Sequence, residues 1–452
     1  MSEVIYKFTG NPFVDAGIWA LSQWIGKKPE ELNEDDLKGV IDDITSVYLN
    51  KKWSKNLFSV FPNNPLTNPA VKDKKERYST FLIELVEEID LNEDTSGDCI
   101  SCGRRNKVKR WGKDKIPLTG SKKFVNYFSY GIDGADYCPA CTFAVQFVPI
   151  GMYACGNMLL LHSNSVKVMK YWSKKSVENV KKQILSRDFT GCFNEGYKNP
   201  VNALFHVIQD IILHYNERWY LEKPSIDFYH FTNYNQGPDL NIYHVPTSVF
   251  TFLAYIPQHE KYAEWLKVVR RGYRYVNWEK IKEEEDYKNN PNLVYNNLLE
   301  GKSIIGFFID RKNKEAIGGW DLIKNYLKEV RKMDEKRLNV IKTVADELAE
   351  YIETADDIKT LKKLETASNY KNYRNILRII IKKRIENGIE DPLFTFDDYA
   401  NYLFPDSLKW RETQDLILFR IYEKLGSWII KQGKEDEILT SDEIKNEIQE
   451  EE

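Results

Sequence analysis

The sequence predicts an α+β protein that is predominantly helical: a mixed N-terminal region carrying an inserted zinc-ribbon-like module, followed by a C-terminal helical bundle. Three observations carry this. Helical periodicity dominates both ends of the chain, two Cys-x-x-Cys pairs bracket a segment poor in apolar runs, and a central stretch alternates aromatic and polar residues as strands do. The 452 residues, 42% of them hydrophobic, suffice for one large core or two to three ordinary ones, which excludes disorder, collagen and coiled-coil arrays. With 65 Lys and Arg against 68 Asp and Glu, a net charge of -3, nucleic-acid contact is left to local patches.

Residues 1–93 read as helical. Asn11 is a natural N-cap and Pro12 a natural first helical residue, since both suit the unpartnered donors of a helix start. Periodicity returns from Asp35 to Tyr48 and from Arg77 to Ile89, with a Pro- and Asn-rich loop over 61–69 between them. Residues 94–142 shift to Cys, Gly, Lys and Arg and form the expected zinc-binding module. Residues 143–319 are mixed: strands over Phe143 to Leu161 and Ile226 to Tyr255, helices over Lys174 to Ser186 and Val201 to Asn216. Residues 320–452 turn helical, with amphipathic runs Trp320 to Tyr351, Tyr370 to Glu386 and Thr413 to Lys431. The first residues lack a basic region followed by an apolar run, so no secretory signal and a cytoplasmic setting are expected. Phe143 to Leu161 is apolar enough to be weighed against a membrane span, but Pro149, Gly151 and Gly156 break it into short pieces.

Cys99, Cys102, Cys138 and Cys141 carry the most chemical information. A Cys-x-x-Cys turn aims two thiolates at one ion, and two such turns complete a closed tetrahedral site, so a structural Zn2+ is expected. Two disulfides or two redox motifs are the alternatives, disfavoured by the expected compartment and the lack of a thioredoxin-like context. The loop the ion would clip is longer than in most ribbons and is strongly basic. Arg104, Arg105, Lys107, Lys109, Arg110, Lys113, Lys115, Lys122 and Lys123 surround Trp111, with Asp114 as the acid. That composition suits phosphate attraction and base stacking, and equally a solvated charged loop.

His206, Asp210 and His214 share a helix face, but apolar neighbours make a structural role the stronger reading. Asn233, Asn235 and Gln236 sit in a polar turn between two aromatic-rich strands, where Asn and Gln could read base edges or simply make a hairpin turn. Lys267, Arg270, Arg271, Arg274 and Lys280 interleave with Trp265, Tyr273, Tyr275 and Trp278, as in a stacking surface or as snorkelling cations. No Walker A loop, dinucleotide fingerprint or nucleophile elbow is present, so the sequence makes no case for an enzyme.

Gly10-Asn11-Pro12-Phe13-Val14-Asp15-Ala16-Gly17, the two separated Cys-x-x-Cys pairs, Asn235-Gln236-Gly237-Pro238 and the helical C-terminal part together resemble one family: the Cst, or CXXC-CXXC, large subunits of type I-B CRISPR Cascade complexes. The resemblance implies a non-catalytic subunit for antiviral defence. Its partners would be CRISPR RNA, target DNA, other Cascade subunits and a recruited helicase-nuclease, with no membrane. Guide pairing would read the target, while the large subunit contacts the protospacer-adjacent motif. Some such subunits also yield a small helical subunit by internal initiation; Met333 is the candidate start here, against a plain role as a core or boundary residue. A zinc-ribbon nuclease and a freestanding zinc-stabilised RNA-binding protein remain the alternatives.

Overall fold

A computed structural model describes residues 4–89, 97–119, 125–126, 132–133, 135–215, 223–234, 237–405 and 409–432. The chain separates into two compact units, Met1–Thr247 with Val276–Asn290, and Ser248–Tyr275 with Pro291–Glu452. Packing thus divides the chain near residue 248, whereas composition changes at 93, 142 and 319, because segments of unlike composition share the first core.

In the first unit the chain forms α1 (Pro12–Ile25), α2 (Glu34–Gly39), α3 (Ile41–Tyr48), α4 (Ser54–Val60) and α5 (Lys74–Glu87). Six short strands follow: β1 (Gly97–Asp98), β2 (Arg105–Asn106), β3 (Lys109–Trp111), β4 (Val125–Asn126), β5 (Ile132–Asp133) and β6 (Ala135–Tyr137). Next come α6 (Pro139–Val145), α7 (Val148–Gly151), β7 (Tyr153–Cys155), β8 (Asn157–Ser163), α8 (Val166–Ser186), α9 (Pro200–His214), β9 (Ile226–Thr232) and β10 (Asp239–Val245). The last four strands make an antiparallel sheet in the order β10-β9-β8-β7, with Leu160 opposite Tyr229 and Phe231 opposite Leu240. Met158 to Leu161 are all buried, and α1, α4 and α8 pack against β8.

Helix α1 starts as its residues dictate. The Asn11 side chain accepts from the Phe13 and Val14 amides, Pro12 occupies the first turn, and Gly26 at φ 86° closes the helix. Gly17 lets α1 meet α6 backbone to backbone: a Cβ there would stand 2.1 Å from the Ala144 carbonyl oxygen. The strand expectation for Phe143 to Leu161 holds only from Tyr153 onward. Pro139 and Pro149 each fall in a first helical turn, where proline is tolerated, and an apolar run alone does not separate a buried helix from a buried strand. Likewise the strands expected to Tyr255 end at Val245, and Thr247–Gln258 is helical. Among the described residues no helix is long and apolar enough to cross a membrane.

The second unit holds α10 (Thr247–Gln258), α11 (Tyr262–Gly272), α12 (Leu293–Leu299), the short pair β11 (Ile309–Asp310) and β12 (Glu315–Ala316), then α13 (Trp320–Glu329), α14 (Glu335–Thr354), α15 (Ile358–Thr366), α16 (Tyr370–Glu386), α17 (Phe396–Asp398) and α18 (Trp410–Gln432). The amphipathic run from Trp320 is interrupted between α13 and α14, where Lys332 adopts φ 54° and Asp334 caps α14 through the Arg337 amide. Helices α14 and α18 pack along each other. Leu338, Ile341, Val344 and Leu348 of the first, and Leu416, Phe419 and Ile421 of the second, are buried. Ion pairs lace this unit, among them Arg420 to Asp346 at 2.6 Å and Arg384 to Glu347 at 3.0 Å.

Candidate metal centre and nucleic-acid interface

The first cysteine pair lies in a turn after β1. The Gly103 amide donates to the Cys99 carbonyl at 2.9 Å, the Cys99 amide to the Arg104 carbonyl at 3.0 Å, and Gly103 takes φ 67°. The second pair opens α6. Cys138 is the N-cap, its sulfur accepts from the Cys141 amide at 3.5 Å, and Pro139 follows it in the first turn. The Ile100 amide donates to the Asp136 carbonyl at 3.0 Å, which ties the two turns together.

Folding thereby brings four sulfurs separated by 35 residues of sequence to within 4.8 Å of one another, with Cys102 Sγ and Cys138 Sγ 3.8 Å apart. A tetrahedral zinc site with Zn–S bonds of about 2.3 Å has sulfur-to-sulfur edges of roughly 3.8 Å, so the donor set fits that ion. All six cysteines are free thiols. Hydrogen bonds from the other three cysteines hold the Cys99 thiol far below its usual range, and those from Cys138 and Cys141 bring Cys102 down to about 7 against the opposing effect of Cys99. Cys138 and Cys141, whose S–H groups donate to those thiolates, are held well up. A divalent cation would remove the remaining protons, as structural zinc does. Four such ligands would close the coordination sphere of a bound zinc ion, an arrangement suited to stability rather than turnover.

The N-terminal segment is fastened to these two turns. Tyr6 Oη donates to the Ala140 carbonyl at 3.1 Å, Arg104 to the Ile5 carbonyl at 3.0 Å, Asn11 to Tyr137 Oη at 3.2 Å, and Ser101 to Thr9 Oγ1 at 3.3 Å. Burial, then the nearby Cys141 and Cys138, drives the Tyr6 hydroxyl pKa well up, so it remains a donor. Buried Asp15 gathers the segment that precedes its own helix. Oδ1 accepts from the Thr9 amide and hydroxyl, both at 2.8 Å, while Oδ2 accepts from the Gly10 amide at 2.9 Å and lies 3.0 Å from His162 Nε2. The residues from Ile5 to Gly17 therefore work as a clamp on the cysteine turns, with cap, carboxylate hub and close-approach glycine in the run from Gly10 to Gly17.

The structure sorts the basic loop. Lys109 pairs with Glu88 at 2.6 Å and Arg110 with Asp136 at 3.1 Å across the β3–β6 pairing. Lys115 is buried, pairs with Asp114 at 3.4 Å and lies 4.7 Å over the Phe81 ring. Trp111 meets the same ring edge-on at 5.8 Å. Arg104 is held by Ile5, and Lys113 is half-buried. Arg105 and Lys107 are exposed and make no ion pair among the described residues. Lys122 and Lys123 lie outside the described residues.

Asn233 corrects its expectation. It is 1% exposed, and its amide nitrogen donates to the Val60 and Lys113 carbonyls, both at 2.9 Å, which leaves no donor for a base. It ties the hairpin end to the basic loop instead. Asn235 and Gln236 lie outside the described residues. The helix face of His206, Asp210 and His214 is likewise engaged. His206 lies 3.1 Å from Glu195, Asp210 takes Lys175 and the Tyr171 hydroxyl at 2.9 Å each, and the His214 ring lies tilted against Tyr171 at 4.1 Å. In the other basic and aromatic cluster, Trp265 is buried and Arg271 pairs with Asp310 at 2.7 Å, while Tyr275 is 91% exposed. The roles of Tyr6, Asp15 and His162 escaped sequence reading. An acid in the first turn of an otherwise apolar helix was the available sign for Asp15.

Fold and site together define a mostly helical protein whose four-cysteine knuckle, fit to hold a metal ion, is clasped by its own N-terminal segment. Residues 92–153 match the model of a family described as CRISPR-associated protein (Cas_CXXC_CXXC). That stretch contains both cysteine pairs and runs through α6 and α7 into β7, and the match supports a CRISPR-associated protein. Comparison with curated proteins and with solved structures finds no match.

Proposed function

We propose that the chain is the non-catalytic large subunit of a type I-B Cascade surveillance complex, which contacts the protospacer-adjacent motif and target DNA while guide RNA reads the sequence. The observation that carries this reading is the family match seated on the knuckle together with the Ile5-to-Gly17 segment, which includes the Gly10-to-Gly17 run, clasping it. The two elements that the resemblance rests on form one structural unit here. Zn2+, where bound by Cys99, Cys102, Cys138 and Cys141, holds that unit in shape and supplies no reaction chemistry. Arg105 and Lys107, exposed beside the knuckle, are the cations of the loop best placed for phosphate, with Lys109 and Arg110 drawn in only if their carboxylate partners release them. Asn235 and Gln236, between β9 and β10 in the sequence, remain the proposed readers of the adjacent motif.

The proposed small subunit starting at Met333 has a fitting boundary. Met333 precedes the α14 cap Asp334, so a 120-residue product would comprise α14 to α18 and everything after them. Affinity purification of the tagged full chain from its native cell tests the main reading. A repeat-derived RNA, several further proteins and a recruitable helicase-nuclease are expected to travel with it. Isolation of the chain alone, with metal-dependent cleavage of nucleic acid, would replace this reading by the zinc-ribbon nuclease.

A further inference from the structure

Beside the clamp, within the first unit, a cleft of about 480 Å³ opens between the N-terminal segment, α1 and the start of α8. Phe8, Ile18, Trp19 and Val166 form its apolar walls. Phe8 is 60% exposed and Val166 62%, an unusual concentration of uncovered apolar side chain around one concavity. Phe8 is not loose. Its ring lies at 14° to His162 with 5.8 Å between centroids, His162 is fixed by buried Asp15, and Asp15 also grips the backbone of Thr9 and Gly10 immediately after Phe8.

This fastening holds an aromatic face toward solvent, which a core would not need. The rim is polar but balanced: exposed Lys7 and Glu30 both line it, and the Asp15 oxygens are already engaged. The cleft therefore has no net attraction for an anion and suits a neutral planar ring. Exposed Asn164 adds a hydrogen-bonding group beside the cleft, one that any base edge carrying an acceptor can meet. Its Oδ1 accepts from the Ser225 amide at 3.0 Å, while its amide nitrogen makes no bond among the described residues.

We propose that this cleft takes one unpaired nucleobase of a nucleic-acid strand, stacked on Phe8 and offered a donor by Asn164. The inference rests on the nucleic-acid role proposed above and adds to it a base-capturing site apart from the cysteine knuckle. Every base has a stackable face, so the site is indifferent to sequence and acts as a hook on a strand already opened.

Photocross-linking of the full-length protein tests it, with short single-stranded DNA and RNA each carrying 5-iodouracil and the joined peptides mapped by mass spectrometry. Cross-links to Phe8 or Trp19 are expected, and the stronger of the two arms identifies the strand. Phe8→Ala, at an exposed position that leaves the core intact, should weaken binding about ten-fold and Phe8→Trp should restore it. Wild-type affinity in Phe8→Ala with cross-links elsewhere, while Arg105→Ala with Lys107→Ala still weakens binding, overturns the cleft and leaves the Cascade reading standing. Failure of the wild-type chain to bind either strand overturns both.

Discussion

From Glu335 to Leu425 the chain hides Leu338, Ile341, Val344, Leu348, Ile352, Leu416, Phe419 and Ile421, whereas from Gly97 to Trp111 the buried side chains are Cys99, Ser101 and Asn106. The helical bundle has an ordinary apolar core, and each large buried side chain adds about 1.5 to 3 kcal/mol of transfer free energy. The first half of the knuckle has nothing comparable, and its strands are two or three residues long. Its order comes from sulfur atoms that would repel one another as thiolates, from backbone turns and from the clasp of residues 5–17. The lesson is that one chain uses two kinds of core, and that a metal ion should matter greatly to one and little to the other.

Removing the metal should produce the largest difference. Cys138→Ser with Cys141→Ser is expected to abolish zinc binding and open the knuckle to protease, since structural zinc contributes apparent binding free energies of roughly 10 to 16 kcal/mol near neutral pH. Native mass spectrometry and limited proteolysis check this. The effect also has a sign with pH. Binding must remove the raised Cys138 and Cys141 protons, so zinc retention should weaken steadily as the solution is acidified.

Leu348→Ala should do the converse. A cavity in the α14–α18 core costs about 2 to 5 kcal/mol in denaturant unfolding and should leave zinc stoichiometry at one per chain. Gly17→Ala links the N-terminal clamp to the knuckle, because its Cβ would meet the Ala144 carbonyl of the helix that Cys138 caps. We expect a loss of about 1 to 3 kcal/mol or more, accompanied by faster zinc release to a chelator. Unchanged zinc release would separate the clamp from the metal site. The smallest effect on stability belongs to Arg105→Ala with Lys107→Ala. Unfolding should shift by no more than about 0.5 kcal/mol, while the salt dependence of nucleic-acid binding flattens by about 2 in log–log slope.

Much of this could be read before the structure was known. Cys-x-x-Cys spacing is a local signal, and so are Asn11-Pro12 at the α1 start and the 3.6-residue periodicity of α16 and α18, which is why those elements fall where expected. What could not be read was pairing across long separations. Nothing near Lys109 or Arg110 announces Glu88 or Asp136 as partners, and nothing near Asn233 announces that Val60 and Lys113 will claim its amide. The excursion of Val276–Asn290 into the first unit is invisible for the same reason: Asn202 holds the Lys288 and Asn290 carbonyls at 2.7 Å each. Periodicity also failed over Phe143 to Gly151, where complete burial erases the polar face that distinguishes a helix.

One zinc ion should order both cysteine turns and, through them, the N-terminal clamp. Hydrogen exchange by mass spectrometry, before and after removal of zinc from the purified full-length protein, decides this. One zinc per chain is expected, and loss of amide protection on its removal in residues 5–17 and 97–111 together, with α14 and α18 unchanged. A protein that carries no zinc, or one whose residues 5–17 keep their protection once zinc is gone, would contradict it.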